Sequence, residues 1–174
     1  MKTVFFDIDT QIDFVYPSGA LYVPGAEHIL PVIGELNRRA PLLISTMDAH
    51  GEDDPEFQVY PHHCVVATTG QHKPAITLRD GQVIIEKQKL DCFSSPLLRP
   101  LLANLNADRY VVYGVVTEIC VFYAAHGLLK TGKRVEVVTD AVKALDEQAA
   151  SKMFQEFTAA GGVLTDSATV LATL

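Results

Sequence analysis

The 174-residue sequence has no CxxC pair, no run of Lys or Arg, and no GxGxxG after its first apolar segment. It also has no apolar stretch approaching the roughly 18 residues of a membrane span. Each absence excludes a class of protein. The three cysteines, Cys64, Cys92 and Cys120, are odd in number and evenly spaced, which indicates neither a disulfide framework nor a thiolate zinc site. The formal net charge is −7 and no basic cluster exists, so neither nucleic acid nor an anionic membrane is an expected partner. Where a dinucleotide-binding turn would place its glycines, Asp7-Ile-Asp-Thr-Gln11 stands instead. No basic-then-apolar leader precedes the first apolar run, and the cytoplasm is the expected compartment. No repeat, low-complexity tract or Pro/Ser-rich linker interrupts residues 1–174, which are read as one domain.

What is present is an alternation. Thr3–Ile8, Leu42–Thr46, Val83–Glu86, Tyr110–Tyr113, Val135–Val138 and Val163–Leu164 are short runs rich in β-branched and aromatic residues. Their near-continuous apolar character suits strands covered on both faces, hence a parallel sheet. Between them, Ala26–Arg39, Pro96–Ala103, Glu118–Lys130 and Asp146–Ala160 carry helical patterns, the last two closing at Gly132 and Gly161. The order predicts an open doubly wound α/β domain with a mainly parallel six-stranded sheet and helices on both faces. Two irregular passages, Asp9–Gly25 and Met47–Gln82, follow strands, where ligands bind in such sheets.

Several residues near those strand ends could carry chemistry. Cys120 follows Tyr110–Val116 and falls in the first turn of a helix that Thr117 would cap. Helix amides and a nearby lysine lower a thiol pKa; position alone also suits a small residue packing helix on sheet. Asp9 and Lys87 each follow a buried run, Asp9 as a base or a loop cap, Lys87 as a charge partner or a solvated strand end. Asp48-Ala-His50, Glu56 and His63 offer mixed oxygen and nitrogen donors suited to Zn²⁺, Mn²⁺ or Fe²⁺ and too rich in imidazole for Mg²⁺ or Ca²⁺. Two apart in an extended segment, Asp48 and His50 would project to the same side.

Three motifs in order resemble the isochorismatase-like cysteine hydrolases and, within them, the nicotinamidases: Asp9-Thr-Gln-Ile-Asp-Phe14, Glu86-Lys87, and Gly114-Val-Val-Thr-Glu-Ile-Cys120-Val. The resemblance spans roughly Lys2 to Val170 and implies Asp9 as catalytic base, Lys87 as catalytic lysine and Cys120 as nucleophile. It implies a cis peptide between Val115 and Val116, with the Val116 and Cys120 amides as oxyanion hole. Asp48-Ala-His50 and Pro61-His-His63-Cys64 match the family's metal ligands, Glu56 sits at the spacing of a further, variable ligand, and Phe14 and Tyr60 match substrate-holding positions. The implied cofactor is a divalent metal, zinc first, with Mn or Fe as alternatives. The implied activity is cleavage of a small carboxamide, nicotinamide first, in NAD salvage. Other amides of the superfamily, maleamate- or ureido-type, are the alternative, and a non-catalytic binding protein on the same fold is a third reading. Relatives are frequently dimers or larger, so a homo-oligomer is expected by analogy. The segment after Lys87, Gln88-Lys-Leu-Asp-Cys-Phe93, departs from the family at Asp91 and Cys92.

Overall fold

The computed structural model describes residues 1–174. Six strands form one sheet: β1 (Thr3–Ile8), β2 (Leu43–Asp48), β3 (Val83–Lys87), β4 (Arg109–Val115), β5 (Arg134–Lys143) and β6 (Val163–Thr165). Every pairing is parallel, in the order β3-β2-β1-β4-β5-β6. The helices are α1 (Ile12–Val15), α2 (Leu30–Arg39), α3 (Leu98–Leu105), α4 (Phe122–Leu129), α5 (Glu147–Ala159) and α6 (Ser167–Ala172). Helix α2 packs against α6, and α4 packs against α5. The expected doubly wound parallel sheet is the observed one. No helix is long and apolar enough to cross a membrane.

The sequence pattern explains the layering. All residues of β1, β2 and β4 are buried, as continuous apolar runs require of strands covered on both faces, whereas edge strands β3 and β6 are partly exposed. Phe5, Phe6, Val111, Val112, Val137 and Val138 form the centre of the core. Chain order reverses between β1 and β4, which opens a crevice at their carboxyl ends. Gly114 makes that approach close: its φ is +118°, and a Cβ there would lie 2.1 Å from the Ile8 carbonyl oxygen.

Several boundaries differ from the sequence reading. The pattern over Ala26–Arg39 divides into a 3₁₀ turn, Ala26–Ile29, and α2. Strand β5 runs to Lys143 because its pairing with β4 shifts register between Val112 and Gly114. The short α1 and α6 were not expected; α6 starts where Asp166 accepts from the Thr169 amide. Thr117 is not a cap. Residues Thr117–Val121 form a π turn in which the Ile119 and Val121 amides both reach the Val116 carbonyl at 3.1 Å, so backbone closes this end without a hydroxyl. Gly132 and Gly161 do adopt left-handed φ, +72° and +94°.

Candidate active site

The sheet brings four chain segments to one rim. Asp48 and Lys87, the last residues of β2 and β3, are register partners, so their side chains emerge side by side. Asp9 follows β1 and turns at φ +48°, and the π turn after β4 carries Cys120. Lys87 Nζ lies 2.8 Å from Asp9 Oδ2 and 3.7 Å from Cys120 Sγ, and it also pairs with Asp48 Oδ1. All four residues are buried. Asp9 Oδ1 accepts the Thr46 hydroxyl at 2.6 Å. Oδ2 faces the ammonium without a well-directed hydrogen bond, which leaves it a lone pair.

The charges set the protonation pattern. Burial pushes the Asp9 carboxyl up, with Lys87 opposing it. Burial also works to raise Asp48, but Lys87 and His50 outweigh it and hold that carboxyl below its ordinary range. Although burial disfavours the Lys87 charge, Asp9, Cys120 and Asp48 hold the ammonium well above its ordinary value. The Cys120 thiol is pushed well up by burial, with Lys87 opposing. This corrects the expectation of a thiol acidified by helix amides and lysine. Two carboxylates already take up the Lys87 charge, so a resting thiolate would be the third anion around one cation.

Beside this cluster lies a second one. His50 Nε2 and His63 Nε2 lie 3.8 and 3.9 Å from Asp48 Oδ2, and Glu56 Oε1 lies 3.8 Å from His63 Nε2. Each histidine's other ring nitrogen has a partner: His50 Nδ1 meets Asp54 Oδ2 at 3.0 Å, and His63 Nδ1 meets the Pro61 carbonyl at 2.7 Å. His50 Nε2 is buried and has no partner. Asp48, His50 and His63 present ligand atoms that all lie within 4.8 Å of one another, and both Asp48–histidine distances fall inside the roughly 4.2 Å that bond lengths of about 2.0–2.1 Å allow. Burial favours a neutral His50 ring, but Asp48 and Asp54 hold it up at about 9. The cluster thus calls for a positive charge, and its donors fit a divalent cation. Glu56, whose carboxyl burial raises, groups with His50 and Asp54 rather than with the Asp48 triad.

A narrow pocket, with about 30 Å³ of free space, joins the two clusters. Asp48, Glu56, His63, Val116 and Cys120 line it, with Phe14 and Tyr60 as aromatic walls and Leu21, Leu90, Ile119 and Leu145 as aliphatic ones. The Phe14 and His63 ring centroids lie 5.4 Å apart. The Val115–Val116 peptide is cis, as the resemblance implied. Every site residue expected from sequence thus reaches this rim. Cys92 and Asp91 do not line the pocket, although Leu90 does.

Sequence reasoning missed the residues that hold these groups. Gln11 donates from Nε2 to the Asp48 carbonyl and the Gln71 carbonyl, both at 2.8 Å, and accepts the Asp48 amide at 2.7 Å. Asp13 Oδ2 accepts the Cys64 amide at 2.7 Å, next to His63. Glu118 Oε1 accepts the Leu145 and Asp146 amides at 2.9 and 2.8 Å, which seats Leu145 at the pocket. Gln11 and Asp13 lie inside the Asp9–Phe14 motif, and Asp54-Pro55 is a turn signal immediately before Glu56.

A parallel sheet gathers a thiol, an ammonium and two carboxylates at its carboxyl edge, and the family and relatives of the chain make it a hydrolase. The chain belongs to the isochorismatase family, whose domain profile matches residues 3–169. It is 27% identical over 188 residues to a nicotinamidase of Acinetobacter baylyi (strain ATCC 33305 / BD413 / ADP1), covering 88% of this chain and 87% of that one. Among solved structures it resembles the pyrazinamidase of Pyrococcus horikoshii in complex with zinc, with TM-score 0.89, 29% identity, and 95% and 99% of the two chains covered. It likewise resembles PnC1 from L. infantum in complex with nicotinate, with TM-score 0.89, 30% identity, and 96% and 93% covered.

Proposed function

We propose that this protein hydrolyses nicotinamide to nicotinate and ammonia, with pyrazinamide as an analogue, through a thioester on Cys120. One juxtaposition carries the reading: the Lys87 ammonium stands between Asp9 and the Cys120 sulfur, and Cys120 lines an apolar pocket that abuts a three-donor cation cluster. The named relatives, a nicotinamidase, a zinc-bound pyrazinamidase and a nicotinate complex, support the substrate.

Asp9 Oδ2 takes the Cys120 proton as the sulfur attacks the amide carbonyl, and Lys87 stabilises the resulting ion pair. The carbonyl oxygen, now an anion, rests on the Val116 and Cys120 amides; each such donor contributes about 2.7–4 kcal/mol to the transition state. Asp9 returns the proton to the leaving nitrogen, ammonia departs and a thioester remains. Asp9 then draws a proton from water, whose oxygen attacks the thioester, and Cys120 recovers its proton as nicotinate leaves. Phe14 and Tyr60 hold the ring. Asp48, His50 and His63, with Glu56 alongside, would hold a divalent ion, zinc first and Mn or Fe as alternatives, which when bound supplies a Lewis-acidic position for the ring nitrogen. Cytoplasmic NAD salvage is the setting this reading implies.

Ammonia release is measured on nicotinamide, pyrazinamide, maleamate and a ureido amide, before and after chelation. Nicotinamide should be preferred and its hydrolysis should fall on chelation. Cys120→Ala should bind nicotinamide and release no ammonia. Turnover in that variant would refute the nucleophile, and chelator-insensitive activity on another amide would replace the substrate.

A further inference from the structure

Resting on the reading of Asp48, His50, His63 and Glu56 as a divalent-cation site, we propose that Asp54, outside the ligand set, is its positioning residue. One carboxylate would fix the His50 tautomer and seat Glu56 at the same time.

Asp54 Oδ2 lies 3.0 Å from His50 Nδ1, the nitrogen turned away from the cluster, while Nε2 faces Asp48 Oδ2 at 3.8 Å. An ionised carboxylate only accepts hydrogen bonds. Asp54 therefore keeps a ring proton on Nδ1, so the proton a cation displaces on binding is the one on the buried Nε2, which faces the cluster. The other oxygen, Oδ1, accepts the Glu56 amide at 2.9 Å. That bond opens the 3₁₀ turn Pro55–Gln58, which brings Glu56 Oε1 to 3.8 Å from His63 Nε2. The Asp54 amide donates to the Gly51 carbonyl at 3.2 Å, so the aspartate is itself held. His63 needs no such residue because the Pro61 carbonyl orients it. Of the two histidines, only His50 depends on a side chain for its orientation, and that side chain also carries the entry of the Glu56 turn.

Asp54→Asn tests the idea with little change of shape. Its single oxygen can keep the Glu56 amide, which leaves its NH₂ toward His50 Nδ1 and favours a proton on Nε2, the wrong tautomer for a ligand. Affinities for Zn²⁺ and Co²⁺ are measured by competition with a chromophoric chelator, and the imidazole protons are followed by ¹⁵N-edited NMR of the zinc-loaded protein. Asp54→Asn should bind both ions about 10–100-fold more weakly. It should also lose the downfield, slowly exchanging His50 Nδ1 proton while the His63 Nδ1 proton stays in place as an internal reference. Asp54→Ser, which retains a cap for the Glu56 amide, should lose affinity similarly and covers the case in which the asparagine variant folds poorly. Glu56→Gln should weaken binding and leave the His50 proton unchanged. Wild-type affinity together with an unmoved His50 proton in Asp54→Asn would overturn the role of Asp54 alone. Failure of the wild-type protein to bind either ion would overturn the cation site itself, and the proposal with it.

Discussion

Replacing Thr46 by valine removes the hydroxyl that donates to the proposed general base; the same hydroxyl accepts the Asp9 amide at 3.3 Å, but that amide keeps the Thr46 carbonyl at 3.2 Å. The Thr46 hydroxyl donates to Asp9 Oδ1 at 2.6 Å in a fully buried setting, and valine has nearly the same shape. A hydrogen bond to a charged group contributes about 1.5–3 kcal/mol. The bond favours the carboxylate over the acid, so its loss raises the Asp9 pKa by about 1–2 units at 1.36 kcal/mol per unit. Burial already holds Asp9 above its ordinary value, so the change adds to an existing shift. The base works only when ionised, and activity is lost as pH falls through its pKa. The acidic limb of kcat/KM, which reports the Asp9–Cys120 pair as a unit in the free enzyme, should therefore move to higher pH by about 1–2 units, while the plateau changes little. The assay is ammonia release from nicotinamide across a pH series. A limb that stays in place, or a loss uniform at all pH values, would refute the assignment of Asp9 as the titrating base.

Four further outcomes follow from other contacts. Lys87→Met leaves the Asp9 and Asp48 carboxylates buried without their shared cation; it should cost about 3–5 kcal/mol in a urea unfolding curve and abolish ammonia release. Gly114→Ala forces a Cβ against the Ile8 carbonyl at positive φ and should destabilise by about 2–6 kcal/mol, whereas Gly51→Ala, with nothing near its Cβ, should leave the midpoint nearly unchanged. The buried Arg109–Glu136 pair, at 2.6 Å, supports the fold far from the pocket. Although burial opposes it, Arg109 and Arg134 hold the Glu136 carboxyl below its ordinary value of 4.5. Its stabilisation is therefore complete above that value and lost as pH falls through the lower folded value; Glu136→Gln should flatten this acid limb of the unfolding free energy. Finally, iodoacetamide should alkylate Cys120 before Cys64 and Cys92, read by peptide mass spectrometry, because of the three only Cys120 lines the pocket.

The parts of the site legible in the sequence are those that a strand end fixes. Asp9, Asp48, Lys87 and Cys120 each end or follow a strand whose apolar run is unmistakable, and parallel order then carries all four to one rim. What was not legible depends on contacts between distant segments. Thr46 lies one turn of the pleat before Asp48, and only the pairing of β1 with β2 shows that its hydroxyl meets Asp9. Asp54 acts through the fold of the irregular passage between β2 and β3, where no periodicity exists to read. The Cys120 thiol was misjudged for a related reason. Local signals, a helix start and a lysine, argued for an acidic thiol, but the lysine's charge is already shared with two carboxylates from other strands.

The Asp9–Phe14 segment shows why such a site can be assembled from remote pieces at all. Asp9 faces Lys87; two residues on, Gln11 bonds the Asp48 backbone in both directions and reaches the Gln71 carbonyl; Asp13 takes the Cys64 amide beside His63; and Phe14 lines the pocket. The proposed base and the supports of two proposed cation ligands therefore lie within six residues of one chain. Any shift of this segment moves Asp9 together with the supports of Asp48 and His63, which holds the carboxylate facing Lys87 in register with the cation donors. Of the aliphatic pocket walls, Leu21 is tied to this segment, its amide donating to the Asp13 carbonyl at 3.1 Å, whereas Leu90 and Leu145 come from loops outside it. Substitution of those leucines should thus alter substrate preference and KM, while substitution of Gln11 should impair hydrolysis of every amide the enzyme accepts.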